Sequence, residues 1–264
     1  MQKCGQEQEK GFQAFTALIK ACIPTLVLLI LWQLAFLSGK WSAYVLPGPG
    51  KVWSSFLAML GNGTLFKHIL VSFNRVLTGF SISFLCAFCL GMLAALKKDL
   101  EVYYGPYVEF MRNVPPISLI ALLILWFGIG ETSKIIIIVL ASFFPMFMNI
   151  RKGLLSCDKK LLEVGKTLGF SQRETLWKIR LPLALPTIVT GMRIGMGYSL
   201  RSIIGAEMIA ADRGLGYFIL DAQTMSRSDK VIVGILAIGL IGFFLDGLFS
   251  LFSYVLFPYE RRNS

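Results

Sequence analysis

The chain has 264 residues, 55% of them hydrophobic, and a formal net charge of +11 at pH 7. Its mean hydropathy is +0.68, and its apolar residues come in long blocks rather than at the periods of 2 or 3.6 that soluble domains use. That pattern excludes an ordinary soluble domain. The single histidine, His68, excludes a His-based metal cluster or triad, and no alternating ten-residue segments of the kind that build membrane barrels occur.

An apolar stretch of roughly 18 residues or more crosses a ~30 Å hydrocarbon core as a helix, with every backbone group satisfied internally. Six such spans are expected, at about 17–38, 76–96, 114–130, 134–150, 184–206 and 231–257. The first has a long apolar core from Cys22 to Leu37 and no small-residue cleavage pattern before Lys40, so it reads as a span rather than a signal peptide.

The segment 39–75 follows outside the membrane. Its VWSSFLAML reads as an amphipathic interfacial helix. GPGK resembles the end of a phosphate loop, but Val45 and Val52 stand where that motif needs Gly and Ser or Thr. In the second span Cys86 and Cys89 form a C-x-x-C in apolar surroundings, so they read as small packing residues. Ser83, Ala87, Gly91 and Ala95 recur every fourth residue, and Gly191 to Gly195 form a G-x-x-x-G in the fifth span. Small residues at that spacing admit a neighbouring helix, either within the chain or on another subunit.

Arg112 and Asn113 precede Pro115 and Pro116 at the start of the third span. They either line an inner gate or merely precede a Pro-initiated helix. The third and fourth spans are separated by GIGETSK and are expected to form a tight hairpin. With the N-terminus inside, the cytoplasmic segments hold roughly twice as many Lys and Arg as the outside ones, Arg75 and Lys134 counting among the latter. That bias places both termini in the cytoplasm, and the positive charge then faces anionic lipid and a cytoplasmic partner rather than nucleic acid.

The loop 151–183 interrupts the apolar blocks. Asp158 caps a helix with Leu161, Val164 and Leu168 on one face, and Gly169 ends it. Ser171 and Glu174 form a capping box that starts a second helix, which Pro182 and Pro186 are expected to end near Ile179. A DNA-reading helix pair needs its second helix free to enter a groove, and this one is tethered by membrane spans at both ends. A loop serving only topology gains nothing from an apolar face that includes Leu176. A docking element for another protein explains both the caps and the face.

Here the residues carry a resemblance. Glu163, Val164 and Gly165, three free positions, Gly169, nine free positions, then Ile179, Arg180, Leu181 and Pro182 resemble the signature loop of importer permeases of ATP-binding-cassette transporters. The departure is Val164-Gly165 where that family usually has two alanines. VLPGPGKVW, HILVSFNRVLTGF, FFPMFMNI and GAEMIAADRGLGY are similar to the nitrate, sulfonate and taurine branch of the family.

The resemblance implies an all-α membrane protein, a single permease domain over 1–264 with six transmembrane helices and the type I, MetI-like fold. It implies a homodimer in a bacterial inner membrane, two cytoplasmic ATPase subunits and an extracytoplasmic binding protein that delivers the substrate. The chain itself would be non-catalytic and hold no cofactor, with ATP and Mg in the partner subunits. Glu163, Val164, Gly165, Leu168, Gly169, Phe170, Ile179, Leu181 and Pro182 would couple to the ATPase. The passenger would be a small anion such as a sulfonate, taurine or nitrate. Alternatives are a pyrimidine- or flavin-type vitamin, or a membrane-embedded sensor or scaffold whose hairpin docks another cytoplasmic partner.

Ionisable groups within spans are functional candidates. Arg201, roughly 22 Å up the fifth span from Pro186, suits an oxyanion with its forked guanidinium or forms a structural pair. Glu207, before the turn at Gly214 and Gly216, caps that turn, pairs with Arg201 or touches the passenger. Arg193 and Asp246 are expected to form a buried ion pair, because each alone would be uncompensated. With Arg201, Glu207, Arg112 and Asn113 as pathway candidates, the site is drawn from two separate stretches of the chain.

Overall fold

The computed structural model describes residues 23–97, 99 and 101–257. Residues 17–22 of the first expected span lie outside the described residues. The described residues are helices and connections, with no strand among them. They fall into two compact units, 23–62 with 222–233 and 63–221 with 234–257.

In the first unit, α1 (Ile23–Leu37) is joined by a turn to α2 (Pro49–Gly61). Trp32 Nε1 donates to the Pro47 carbonyl at 3.0 Å, and Gly48 sits against the Phe36 ring, where a Cβ would meet it at 3.0 Å. GPGK is simply the start of a helix, with Pro49 in its first turn where no N–H is needed. Val52, Ser55 and Met59 are buried while Trp53, Leu57 and Leu60 are exposed, so α2 is apolar on its outer side as well. Ser55 Oγ donates to Asp229 Oδ2 at 2.5 Å, and Arg227 grips the same carboxylate at 3.2 Å.

The second unit is built on α3 (Thr64–Leu96), α6 (Glu131–Leu155) and α9 (Leu181–Ala210). The small stripe Ser83, Ala87, Gly91 and Ala95 is buried. A Cβ on Gly91 would come within 2.7 Å of Ile150 in α6, and one on Gly79 within 2.7 Å of Ile138. From the other side, Gly191 and Gly195 pack on Asn149 and Met146 of α6. Both small-residue motifs therefore serve packing within the chain, where missing side chains let helix backbones approach. Cys86 and Cys89 do not pack in this core; the period of the buried stripe turns them outward, and they are exposed.

Several expected boundaries are corrected. α3 begins at Thr64 rather than 76, so Arg75 belongs to a helix and not to an outer loop. The segment 97–113 is not a plain connection, since α4 (Glu101–Asn113) fills most of it. The third span is broken: a 3₁₀ turn (Pro116–Leu119) and α5 (Ile120–Phe127) lie at 88° to α4. Pro115 and Pro116 supply no N–H to continue α4, and they disfavour helical backbone before them.

By length and apolarity, three described helices qualify as membrane spans: α3, α6 and α11 (Ser228–Leu256), or four if the bent pair is one span. α9 is long enough, ~45 Å, but Arg193 and its glycines and prolines dilute its apolarity. The expected count of six is therefore not reached on these criteria.

Candidate functional site

The hairpin is a set of local bonds. In α7 (Lys159–Thr167) the Asp158 carboxylate accepts from Lys160 N at 3.0 Å. Gly169 adopts φ +75°; its N–H reaches the Lys166 carbonyl at 3.0 Å and Phe170 N–H reaches Gly165 O at 2.9 Å. This pair of bonds is the Schellman turn, which needs a left-handed residue and so favours glycine. Ser171 N donates to Glu174 Oε2 at 3.0 Å while Ser171 Oγ accepts from Glu174 N at 3.3 Å, closing a reciprocal box at the start of α8 (Gln172–Thr175). Lys178 Nζ joins Glu174 at 3.1 Å and lies 4.6 Å from the Phe170 ring centre.

Gly165 is buried, and a Cβ there would meet Ile179 Cδ1 at 2.7 Å, so the two helices close on one another. Leu161, Val164 and Leu168 are exposed at 42%, 54% and 64%, as is Trp177. Leu176 is not part of that face: it is buried in the core of the second unit. Glu163 is exposed, Leu181 is half-buried and Pro182 is exposed. The prolines do not end the second helix. A π turn (Leu176–Arg180) runs straight into α9, whose first turn holds Pro182 without needing its N–H. Pro186 sits inside α9, and Thr190 Oγ1 donates to its carbonyl at 3.0 Å.

A second cluster surrounds Glu207, which is 0% exposed. Both its oxygens accept from Ser72 Oγ at 2.8 Å, Oε1 accepts from Arg75 Nη1 at 2.8 Å and Oε2 from Gly216 N at 2.9 Å. Arg75 is 7% exposed and forks onto Glu131 at 2.6 and 2.7 Å; its Nη1 also reaches the Arg213 carbonyl at 2.7 Å. Lys134, 4% exposed, adds a contact to Glu131 at 3.0 Å. Ser72 Oγ accepts from Leu215 N and His68 Nδ1 from Gly214 N. Two cations thus meet two carboxylates, and His68, Ser72, Arg75 and Glu207 each bond the backbone of the turn at 211–216. Buried ions persist only when matched in this way. Gly214, at φ +119°, lies where a Cβ would collide with the Glu207 carboxylate. Glu207 pairs with Arg75 and not with Arg201.

The remaining candidates separate. Arg193 Nε and Nη2 each lie 2.5 Å from an Asp246 oxygen, but the pair is 45% and 54% exposed in the single chain rather than buried. Arg201 makes no ion pair among the described residues; its guanidinium lies 5.8 Å from the Tyr198 ring centre. Asn113 Nδ2 donates to the Glu109 carbonyl at 2.8 Å and closes the end of α4. Arg112 lines a cavity of about 250 Å³ bounded also by Pro145, Asn149 and Tyr198.

Arg75, Ser72, His68, Glu131 and Lys134 were absent from the sequence-derived candidates. A signal existed: His68, Ser72 and Arg75 recur at i, i+4 and i+7, a polar stripe along the first half of α3. Treating Arg75 and Lys134 as loop charges concealed it.

Residues 87–254 match the family described as the binding-protein-dependent transport system inner membrane component. The chain is 34% identical over 93% of its length to the putative aliphatic sulfonates transport permease protein SsuC of Bacillus subtilis, covering 88% of that protein. It is 35% identical over 83% of its length to the taurine transport system permease protein TauC of Escherichia coli, covering 82% of it. Its fold is similar to that of a chain of the MetNI methionine ABC transporter in an inward-facing conformation, with a TM-score of 0.61 at 17% identity, over 71% of this chain and 95% of that one. The helical architecture, the hairpin and these matches lead to one conclusion: the chain belongs to the family of inner membrane components of binding-protein-dependent transport systems, as a permease of the ATP-binding-cassette importer type.

Proposed function

We propose that the chain forms, with a second copy of itself, the membrane passage of an importer driven by two separate cytoplasmic ATPase subunits and fed by an extracytoplasmic binding protein. The whole chain is then one permease domain in a bacterial inner membrane, with both termini cytoplasmic and with ATP and Mg held only by the partners. The observation that carries this reading is the hairpin 158–180: caps at both helix starts and the Gly169 turn preform it, and Leu161, Val164 and Leu168 stand exposed on it. An exposed apolar helix face of this kind suits insertion into a groove of another protein.

In this reading Glu163, Val164, Gly165, Leu168, Gly169, Phe170, Ile179, Leu181 and Pro182 seat and shape the contact. The passenger is a small sulfonate, an aliphatic one or the aminosulfonate taurine, after the printed names of the relatives. Arg201 and Arg112, with Asn113 beside the latter in sequence, are the pathway candidates, while Glu207 holds the turn at 211–216.

The test is copurification and uptake. A tagged chain is expected to retain ATPase subunits, and Glu163→Lys or Val164→Asp to weaken that retention by roughly tenfold or more with a matching loss of uptake. The assignment fails if no ATPase subunit associates and both variants take up substrate normally.

A further inference from the structure

Charge pairing divides the arginines of the long helices into two groups. Arg75 faces Glu131 and Glu207, Arg151 faces Glu101, and Arg193 faces Asp246. Arg112 and Arg201 face no carboxylate among the described residues. Both are exposed in the single chain, so their guanidinium donors stand open to a solute. These two converge on one place, whereas Arg180, also without a carboxylate, donates to the Ala95 carbonyl. Arg112 lines the 250 Å³ cavity between α4, the 3₁₀ turn, α6 and α9, and Tyr198, against which Arg201 packs at 5.8 Å, lines it as well.

The rest of the lining suits a small anion with a carbon body. No carboxylate lines the cavity. Asn149 uses one amide hydrogen on the Pro145 carbonyl at 2.8 Å and retains the second. The Tyr198 hydroxyl makes no hydrogen bond to any described residue. Leu140, Phe144 and Met148 supply the apolar wall. The volume is below that of a drug-sized pocket, so it fits a solute of few atoms. A guanidinium fork matches the planar spread of oxygens on a sulfonate, carboxylate or nitrate.

We propose that this cavity is a transit site selective for small monoanions, and that Arg112, Asn149, Tyr198 and Arg201 impose a charge filter within the permease itself, additional to any selection by a binding protein. The proposal rests on reading the chain as a permease, and it assigns the permease a share of specificity.

The experiment measures the cavity directly. Met148→Cys is placed in the full chain after replacement of the five native cysteines, in membranes. The thiol is then modified with anionic sulfonatoethyl methanethiosulfonate or with cationic trimethylammonioethyl methanethiosulfonate. The anion-to-cation rate ratio is expected to fall about tenfold or more on R112Q plus R201Q, and to be retained by R112K plus R201K. Butanesulfonate is expected to slow the reaction where choline does not. A ratio unchanged by the Gln pair, or lowered equally by the Lys pair, overturns the charge filter. If the filter fails while Glu163→Lys still abolishes uptake, the permease reading stands alone. If the ratio responds as expected but no ATPase subunit copurifies, the anion-selective cavity stands and the importer reading falls.

Discussion

Arg75 and Glu207 lie 132 positions apart in the chain and 2.8 Å apart in the structure. Their bond fastens the start of α3 to the end of α9, and through Gly216 N and the Arg213 carbonyl it holds the turn between α9 and α10 (Leu215–Thr224). Arg75 is also the one cation among the described residues that bridges both carboxylates of the cluster.

Removing the bridging cation should therefore cost more than removing either anion. Arg75→Met strands a buried Glu207, and loss of one partner from a buried pair costs about 3–5 kcal/mol. Glu207→Gln leaves Arg75 on Glu131 and should cost less than half of that. Combining Arg75→Met with Glu207→Met should recover much of the loss, because no buried charge then lacks a partner. Thermal unfolding of the detergent-purified protein checks the ranking; equal losses for both single variants would contradict it.

The turn is predicted to tolerate no side chain at Gly216. A Cβ there would collide with the Ile204 carbonyl, which is helix backbone and cannot swing aside, and would sit 2.8 Å from Glu207 Cβ. Gly216→Ala should cost about 1–3 kcal/mol by overpacking. Gly239→Ala, in α11 with nothing within 4 Å, should be neutral or slightly stabilising. Comparing the two melting temperatures in one preparation tests this.

Arg193 and Asp246 form a two-pronged pair that is half exposed on the single chain. Either single alanine variant leaves one charge on an apolar helix without its partner. The exchange Arg193→Asp with Asp246→Arg should restore most of the folded yield lost by either single change. The yield of monodisperse protein by size-exclusion chromatography decides, and a swap as poor as the singles would show that position rather than pairing matters.

The hairpin carries a pH signature. The Ser171 backbone N–H, followed by the Lys178 ammonium and the Ser171 hydroxyl, holds the Glu174 carboxyl down to about 2 from an ordinary 4.5. A carboxyl lowered in the folded state stabilises it fully above about 4.5, and that contribution is lost as pH falls towards 2. Hydrogen-exchange protection of the 159–179 amides, corrected for intrinsic rates, should fall across that window. Ser171→Ala should lower protection at pH 7 by about 1 kcal/mol, and Glu174→Gln, which removes the titrating group, should flatten the pH dependence. An unchanged pH profile in Glu174→Gln would remove the box from the account.

Parts of this protein were legible because their bonds are short-range. Asp158 to Lys160, Ser171 to Glu174 and Gly169 to Lys166 each join residues two or three apart, so spacing alone announces them. Prolines 182 and 186 misled, since a π turn leads directly into α9, which holds Pro182 in its first turn and Pro186 just beyond it. Pro115 and Pro116 did the reverse and broke a segment whose apolarity promised one span.

By itself the sequence determined the class of the protein: apolar blocks long enough for a membrane, a capped hairpin among them, and a residue spacing shared with importer permeases. Only the tertiary structure decided which charges are spent on one another. Arg75, Arg193 and Arg201 look alike as basic residues in apolar helices, yet two are neutralised by carboxylates 132 and 53 positions away and the third is not. Hydropathy sums over neighbours in the chain, whereas an ion pair depends on which distant helix packs alongside. That packing, set here by glycines that let α3, α6 and α9 close together, leaves Arg112 and Arg201 beside a cavity with no carboxylate to answer them.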